Sequence, residues 1–251
     1  MKIIITKDYD ALSLKTARIV AELVKEKPNL IFCLPAGGSP IGMYRCLVEM
    51  FKRKEISFKD MITFDMDEYV GIGPTNENSY ADFMQTHFLK YVDVNPKNVY
   101  YPDGLATDID KMCADYSEHM FALGGLDLAI TGIGDDGHVA FNEPDNYLLP
   151  RTHAVDLKET TIKANARFFE DISQVPKRAC SIGMEDIMRC RNFLVVASGL
   201  NKAPLLAKTF ENDHLDPNWP VSFMKMHPNC TFILDEEAAS MIDPSIIAKY
   251  Q

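Results

Sequence analysis

Asn29-Leu30-Ile31-Phe32-Cys33-Leu34-Pro35-Ala36-Gly37-Gly38-Ser39-Pro40 runs an apolar stretch straight into a proline- and glycine-rich turn. The run is too short for a buried helix, and its Leu, Ile and Phe content reads as a strand over Asn29–Leu34. A helical pattern follows from Ile41 to Lys52. The same alternation extends in both directions. Strands are expected at Lys2–Thr6, Met61–Asp65, Leu126–Thr131, Asn192–Ala197 and Cys230–Leu234. Helices are expected at Tyr9–Lys27, Tyr80–Tyr91, Asp108–Leu123 and Lys202–Phe210. The first of these carries Leu12, Leu14, Ala17, Ile19, Val20 and Leu23 on a broad apolar face. Strands separated by helices over roughly 30 residues argue for βαβ units. The expectation is an α/β chain with a mostly parallel sheet, helices on both faces, and one domain over residues 1–251. Asn142 to Arg178 is the irregular part, interrupted by Pro144, Pro150 and Pro176, and residues 145–178 are a lid candidate.

Composition narrows the function. A length of 251 residues with 47% hydrophobic content suffices for a sizeable core. The net charge of −10 is a poor match to nucleic acid or anionic membrane, so neither is an expected partner. An anionic substrate would need a local basic pocket. The six cysteines lack C-x-x-C spacing, which argues against a zinc site and for buried free thiols. Ile3-Ile4-Ile5 is too short for a signal-peptide core, and no run of 18 apolar residues occurs. A cytoplasmic location is the expectation.

Ligands of open parallel sheets bind beyond the carboxyl ends of the strands, and polar residues cluster there. In Pro35–Pro40, Ser39 fits an N-cap and Pro40 the first helical position. The backbone of Gly37, Gly38 and Ser39 could converge on an anion such as phosphate; a plain capped turn is the alternative. Asp65-Met66-Asp67-Glu68-Tyr69 gathers three carboxylates after a strand, with Asp65 and Asp67 expected on one face. Like charges held together raise a pKa toward that of a general base; a solvated acidic turn is the alternative. Gly132-Ile133-Gly134-Asp135-Asp136-Gly137 matches G-x-G-x-x-G, but two carboxylates would repel a pyrophosphate. Pro144 and Pro150 also break the helix that should precede Asp156. The glycines instead bend the chain so that Asp136, His138 and Glu143 are presented together, a set suited to proton transfer. Lys202 stands near the start of a helix and Arg167 lies in the lid candidate; either could complete an anion pocket or be a surface charge.

Five stretches together resemble the glucosamine-6-phosphate deaminase (isomerase) family. They are Leu34–Pro40, Phe64–Gly71, Gly134–Pro144, Asn165–Phe169 and Ser198–Ala203. The resemblance implies a modified Rossmann-like fold without a nucleotide, and no redox cofactor or metal. It implies conversion of an amino-sugar phosphate, glucosamine 6-phosphate, with water into fructose 6-phosphate and ammonia. Asp67 would move a proton between C2 and C1. His138 would assist ring opening, tuned by Asp136 and Glu143. Gly37, Gly38, Ser39, Arg167 and Lys202 would hold the phosphate. Members include hexamers and monomers, which leaves a homo-oligomer open. This chain departs from the pattern at Ala36, often Thr, and at Asp135, a variable position. His153 and Val155 stand where activated members carry basic residues beside Arg151, so activation by N-acetylglucosamine 6-phosphate is expected to be weak or absent. Galactosamine 6-phosphate, a 6-phosphogluconolactone, and a sugar-phosphate-sensing regulatory domain with a DNA-binding module are the competing readings.

Overall fold

The computed structural model describes residues 1–251, apart from the Ala164 side chain. The strands are β1 (Lys2–Thr6), β2 (Ile31–Leu34), β3 (Ile62–Asp65), β4 (Asp67–Tyr69), β5 (Val99–Tyr100), β6 (Leu128–Thr131), β7 (His153–Asp156), β8 (Arg178–Ser181), β9 (Asn192–Ala197) and β10 (Cys230–Asp235). The helices are α1 (Tyr9–Glu26), α2 (Ile41–Lys52), α3 (Tyr80–His87), α4 (Ile109–Ala122), α5 (Glu159–Asn165), α6 (Met184–Met188), α7 (Ala203–Phe210), α8 (Glu236–Ala239) and α9 (Pro244–Tyr250).

Seven strands form one sheet in the order β1-β10-β9-β6-β2-β3-β5, and every pairing in it is parallel. Successive side chains on a strand face opposite sides. Ile31 and Cys33 therefore join one core with Phe193, Val195, Phe232 and Leu234. Phe32 and Leu34 join the other, with Leu194, Val196, Ile233 and the buried faces of α1 and α2. Both faces are covered, which is why these strands read as unbroken apolar runs. Truncating the fully buried Phe32 to Ala would cost about 3–5 kcal/mol.

From β2 the chain steps outward through β3 to β5. It then returns to β6, beside β2, and steps the other way through β9 to β10. The reversal between β2 and β6 opens a crevice at their carboxyl ends. Chain direction and topology alone thus bring together the loops after β9, β6, β2 and β3.

Three features of the structure differ from the expectations. First, Asn142–Arg178 is not irregular throughout. It holds β7 and α5, and β7 joins an antiparallel sheet of order β4-β8-β7. Second, Asp65 and Asp67 do not share a pleated face. Met66 hands the chain from one sheet to the other: its N–H donates to Leu34 O at 3.3 Å and its carbonyl accepts from Ile182 N at 3.0 Å. Third, Ser39 does not cap α2. The Tyr9 hydroxyl takes that place, accepting from Gly42 N at 2.9 Å and lying 3.1 Å from Gly38 O. Tyr9 can approach because residue 42 is glycine: a Cβ there would stand 2.1 Å from Ser13 Oγ and 3.1 Å from the Tyr9 ring. No helix is long and apolar enough to cross a membrane among the described residues. All six cysteines are free thiols and five are buried.

Candidate active site

The turn after β2 is shaped for a ligand to approach its backbone. Gly37 has φ +97°, a conformation open to glycine at little cost, and nothing stands within 4 Å of a Cβ built on Gly37 or Gly38. Released from capping, the Ser39 side chain reaches the β6 loop, with Oγ 3.5 Å from a Cβ built on Gly132.

The three carboxylates after β3 have separate environments. Glu68 is buried and accepts from the backbone N–H groups of Tyr69, Tyr80 and Ala81 at 2.8, 3.1 and 2.9 Å. It therefore anchors the start of α3, where a negative charge is favoured. Burial raises its pKa against those hydrogen bonds. Asp65 is 1% exposed, and neither of its carboxyl oxygens has a hydrogen-bond partner among the described residues. Burial, then the charges of Glu68 and Asp67, push it well above the usual carboxylate range. Asp67 alone of the three is only half-buried. Burial, then the charge of Glu68, push it up to about 8. An acid that titrates there can take a proton and return it near neutral pH. Pairing of Asp67 with Ser181 across β4 and β8 sets its position, and Ser181 Oγ accepts from Phe141 N at 2.9 Å. Asp67 is thus registered against the β6 loop.

That loop opens no helix, which rules out the dinucleotide reading of its glycines. Gly137, at φ +84°, donates its N–H to Gly134 O at 2.9 Å and closes a turn. The turn presents His138, whose Nδ1 lies 2.6 Å from Asp136 Oδ1. Burial pushes the Asp136 carboxyl upward, but the hydrogen bond and charge of His138 outweigh it and hold the carboxyl below its ordinary value. An imidazole tied through Nδ1 to a carboxylate has Nε2 free for proton transfer. Ala140, at φ +54°, then bends the chain so that Asn142 Nδ2 donates to Val139 O and Ile182 O at 3.0 and 2.8 Å.

The Glu143 carboxylate is engaged by other partners. It is buried, accepts from Lys158 N at 3.2 Å and from Thr161 Oγ1, and makes no hydrogen bond to His138 among the described residues. It is bound to the lid candidate. Arg167 is exposed, with its guanidinium 4.7 Å from the centre of the Phe168 ring. Lys202 does reach the crevice. Its Nζ donates to Ile133 O at 2.9 Å and Asp135 Oδ1 at 2.6 Å. Buried Asp235 organises the preceding turn, accepting from Gly199 N at 3.0 Å and from Ser198 Oγ.

Some contributors were missed in the sequence. Trp219 packs under the turn: a Cβ on Gly137 would stand 2.8 Å from its ring, and Val221 N donates to Gly137 O at 2.9 Å. Neither Trp219 nor Tyr9 lies near a motif, and no local signal points to them. Asp235 could have been found, since it ends an apolar run at a strand's carboxyl end.

Residues 7–233 match the family model described as glucosamine-6-phosphate isomerases/6-phosphogluconolactonase. The glucosamine-6-phosphate deaminase of Thermoanaerobacter pseudethanolicus is 43% identical over 242 residues, covering 96% of this chain and 95% of the relative. That of Clostridioides difficile is 40% identical over 244 residues, covering 97% and 98%. A solved monomeric glucosamine-6-phosphate deaminase superposes with a TM-score of 0.93 at 36% identity, covering 96% of this chain and all of the other. A 6-phosphogluconolactonase from Trypanosoma cruzi superposes with a TM-score of 0.74 at 19% identity over 95% and 96%, a likeness of fold alone. With the match spanning nearly its whole length, the chain belongs to the glucosamine-6-phosphate isomerase/6-phosphogluconolactonase family.

Proposed function

We propose that this protein is a glucosamine-6-phosphate deaminase, acting as one catalytic domain with residues 145–178 as its lid. The observation that carries the reading is the division of the three carboxylates, which leaves Asp67 free to act on a substrate in the β2–β6 crevice. Full-length relatives that bear this name support it.

The steps follow from the residues. His138, held by Asp136, moves the proton that opens the sugar ring to the aldehyde. Asp67 removes the C2 proton, and the electron pair left behind forms the C1–C2 double bond of an enolamine as the aldehyde oxygen is protonated. Asp67 returns the proton to C1, giving the C2 iminium. Water adds at C2 and ammonia leaves, yielding fructose 6-phosphate. The Gly37–Ser39 backbone and Lys202 hold the phosphate, Arg167 joins them as the lid closes, and Glu143 tunes His138. Binding energy at the phosphate orients C1 and C2 over Asp67. A cytoplasmic location and a small-molecule partner, without nucleic acid, belong to the same reading.

The test is to offer the pure protein glucosamine 6-phosphate, galactosamine 6-phosphate and 6-phosphogluconolactone side by side. Ammonia released fastest from the first is the expected result. Turnover confined to either of the others would overturn the proposal.

A further inference from the structure

The β6 loop carries adjacent carboxylates that turn in opposite directions. Asp136 faces His138, while Asp135 reaches across to the β9 loop, where its Oδ1 lies 2.6 Å from Lys202 Nζ. The Lys202 side chain is 18% exposed and that of Asp135 is 84% exposed. The ammonium is fixed independently by the backbone carbonyl of Ile133 at 2.9 Å, so the carboxylate is not needed to place it. Asp135 sits on the loop whose Gly132 faces the Ser39 side chain, against a cation in a chain of net charge −10.

We propose that Asp135 is a displaceable stand-in for the substrate phosphate, holding Lys202 in the unliganded protein and competing for it with the incoming phosphoryl group. The inference rests on the reading of Lys202 as a phosphate ligand. A phosphate monoester carries nearly two charges at neutral pH, against one for a carboxylate, so it wins the ammonium when bound. The displaced Asp135 then remains as a like charge beside it. Both effects weaken ground-state binding, and neither touches C1 or C2. Asp135 therefore sets KM, and its charge discriminates against weakly held anions.

Because the carboxylate is solvent-exposed and screened, the effect is modest. Asp135→Asn should lower the KM for glucosamine 6-phosphate about two- to tenfold and change kcat less than twofold. Asp135→Glu, which keeps the charge, should restore a wild-type KM. Calorimetric titration with inorganic phosphate gives a readout that needs no turnover. There, Asp135→Asn should bind phosphate about two- to tenfold more tightly than wild type, and Lys202→Met should weaken binding in both backgrounds. Equal or weaker phosphate binding by Asp135→Asn would overturn the proposal, as would a raised KM, tight binding by Asp135→Glu, or indifference to Lys202→Met. Loss of the proposed deaminase activity in the wild type, with these phosphate affinities as expected, would count against the function and not against this device.

Discussion

The imidazole of His138 lies directly over the α-carbon of Gly134. A Cβ built on Gly134 would stand 2.0, 2.2 and 2.4 Å from ring atoms Cε1, Nδ1 and Nε2. The ring occupies the space that any other residue's side chain would fill. Gly134→Ala should therefore displace the imidazole while leaving the two cores intact. Misplacement of about 1 Å at a reacting group can cost about a hundredfold. Deaminase kcat should fall by about that factor, with native far-ultraviolet circular dichroism. An unchanged kcat would show that His138 need not sit there.

The link between His138 Nδ1 and Asp136 leads to a second expectation. Asp136→Asn keeps the shape but removes the charge, and the amide can stabilise the wrong tautomer. By analogy with carboxylate–histidine pairs elsewhere, kcat should drop about 10²–10⁴-fold with little change in KM. A loss confined to KM would move Asp136 from proton transfer to binding.

Asp67 governs the pH dependence. Its folded-state pKa, pushed up to about 8 by burial and then by Glu68, lies far above its ordinary value of 3.8. A base must be unprotonated, so kcat/KM should rise with pH and reach half its plateau near 8. Stability runs the other way. A carboxyl whose pKa is raised by folding contributes stability below its unfolded pKa and loses it as pH rises through the folded one. The wild type should therefore lose thermal stability, relative to Asp67→Asn, between about pH 4 and 8. A difference in Tm that stays constant from pH 4 to 9 would contradict the raised pKa of Asp67.

How much of this was legible beforehand varies with the range of the interactions. The parallel sheet was readable because Ile31–Leu34 and Asn192–Ala197 are buried on both faces and so lack alternation. The loops after β2, β3, β6 and β9 were readable because their glycines and carboxylates are local in sequence. The small sheet was not, since β4 has only three residues and its partner Arg178–Ser181 follows more than a hundred positions later. The Tyr9 cap of α2 and the Trp219 support of Gly137 were hidden for the same reason. The Lys202–Asp135 pair was hidden too, although both residues had been singled out: their meeting depends on β6 and β9 being neighbours.

Activation by N-acetylglucosamine 6-phosphate is a separate matter. Arg151, the basic residue that fits the activated pattern, is occupied. Its Nε lies 3.1 Å from Glu185 Oε2, and its guanidinium lies 4.3 Å from the centre of the Phe121 ring. Burial pushes the neighbouring His153 pKa down, despite the hydrogen bond from its ring to Arg151 O, so it adds no cation at neutral pH. Adding the compound should shift the substrate saturation curve less than about twofold. A clear drop in half-saturation would contradict this.

The proton path through Asp67 can be followed by running the reaction in deuterium oxide. Wild-type protein given glucosamine 6-phosphate should release ammonia and fructose 6-phosphate in equal amounts, with deuterium at C1 of that fraction of the product for which the Asp67 carboxyl exchanges its proton with solvent before delivery, read by nuclear magnetic resonance. Asp67→Asn should release neither and leave C2 of the substrate unlabelled. Retained ammonia release and C1 labelling in Asp67→Asn would contradict the assignment of Asp67 as the base on which this account of the site rests.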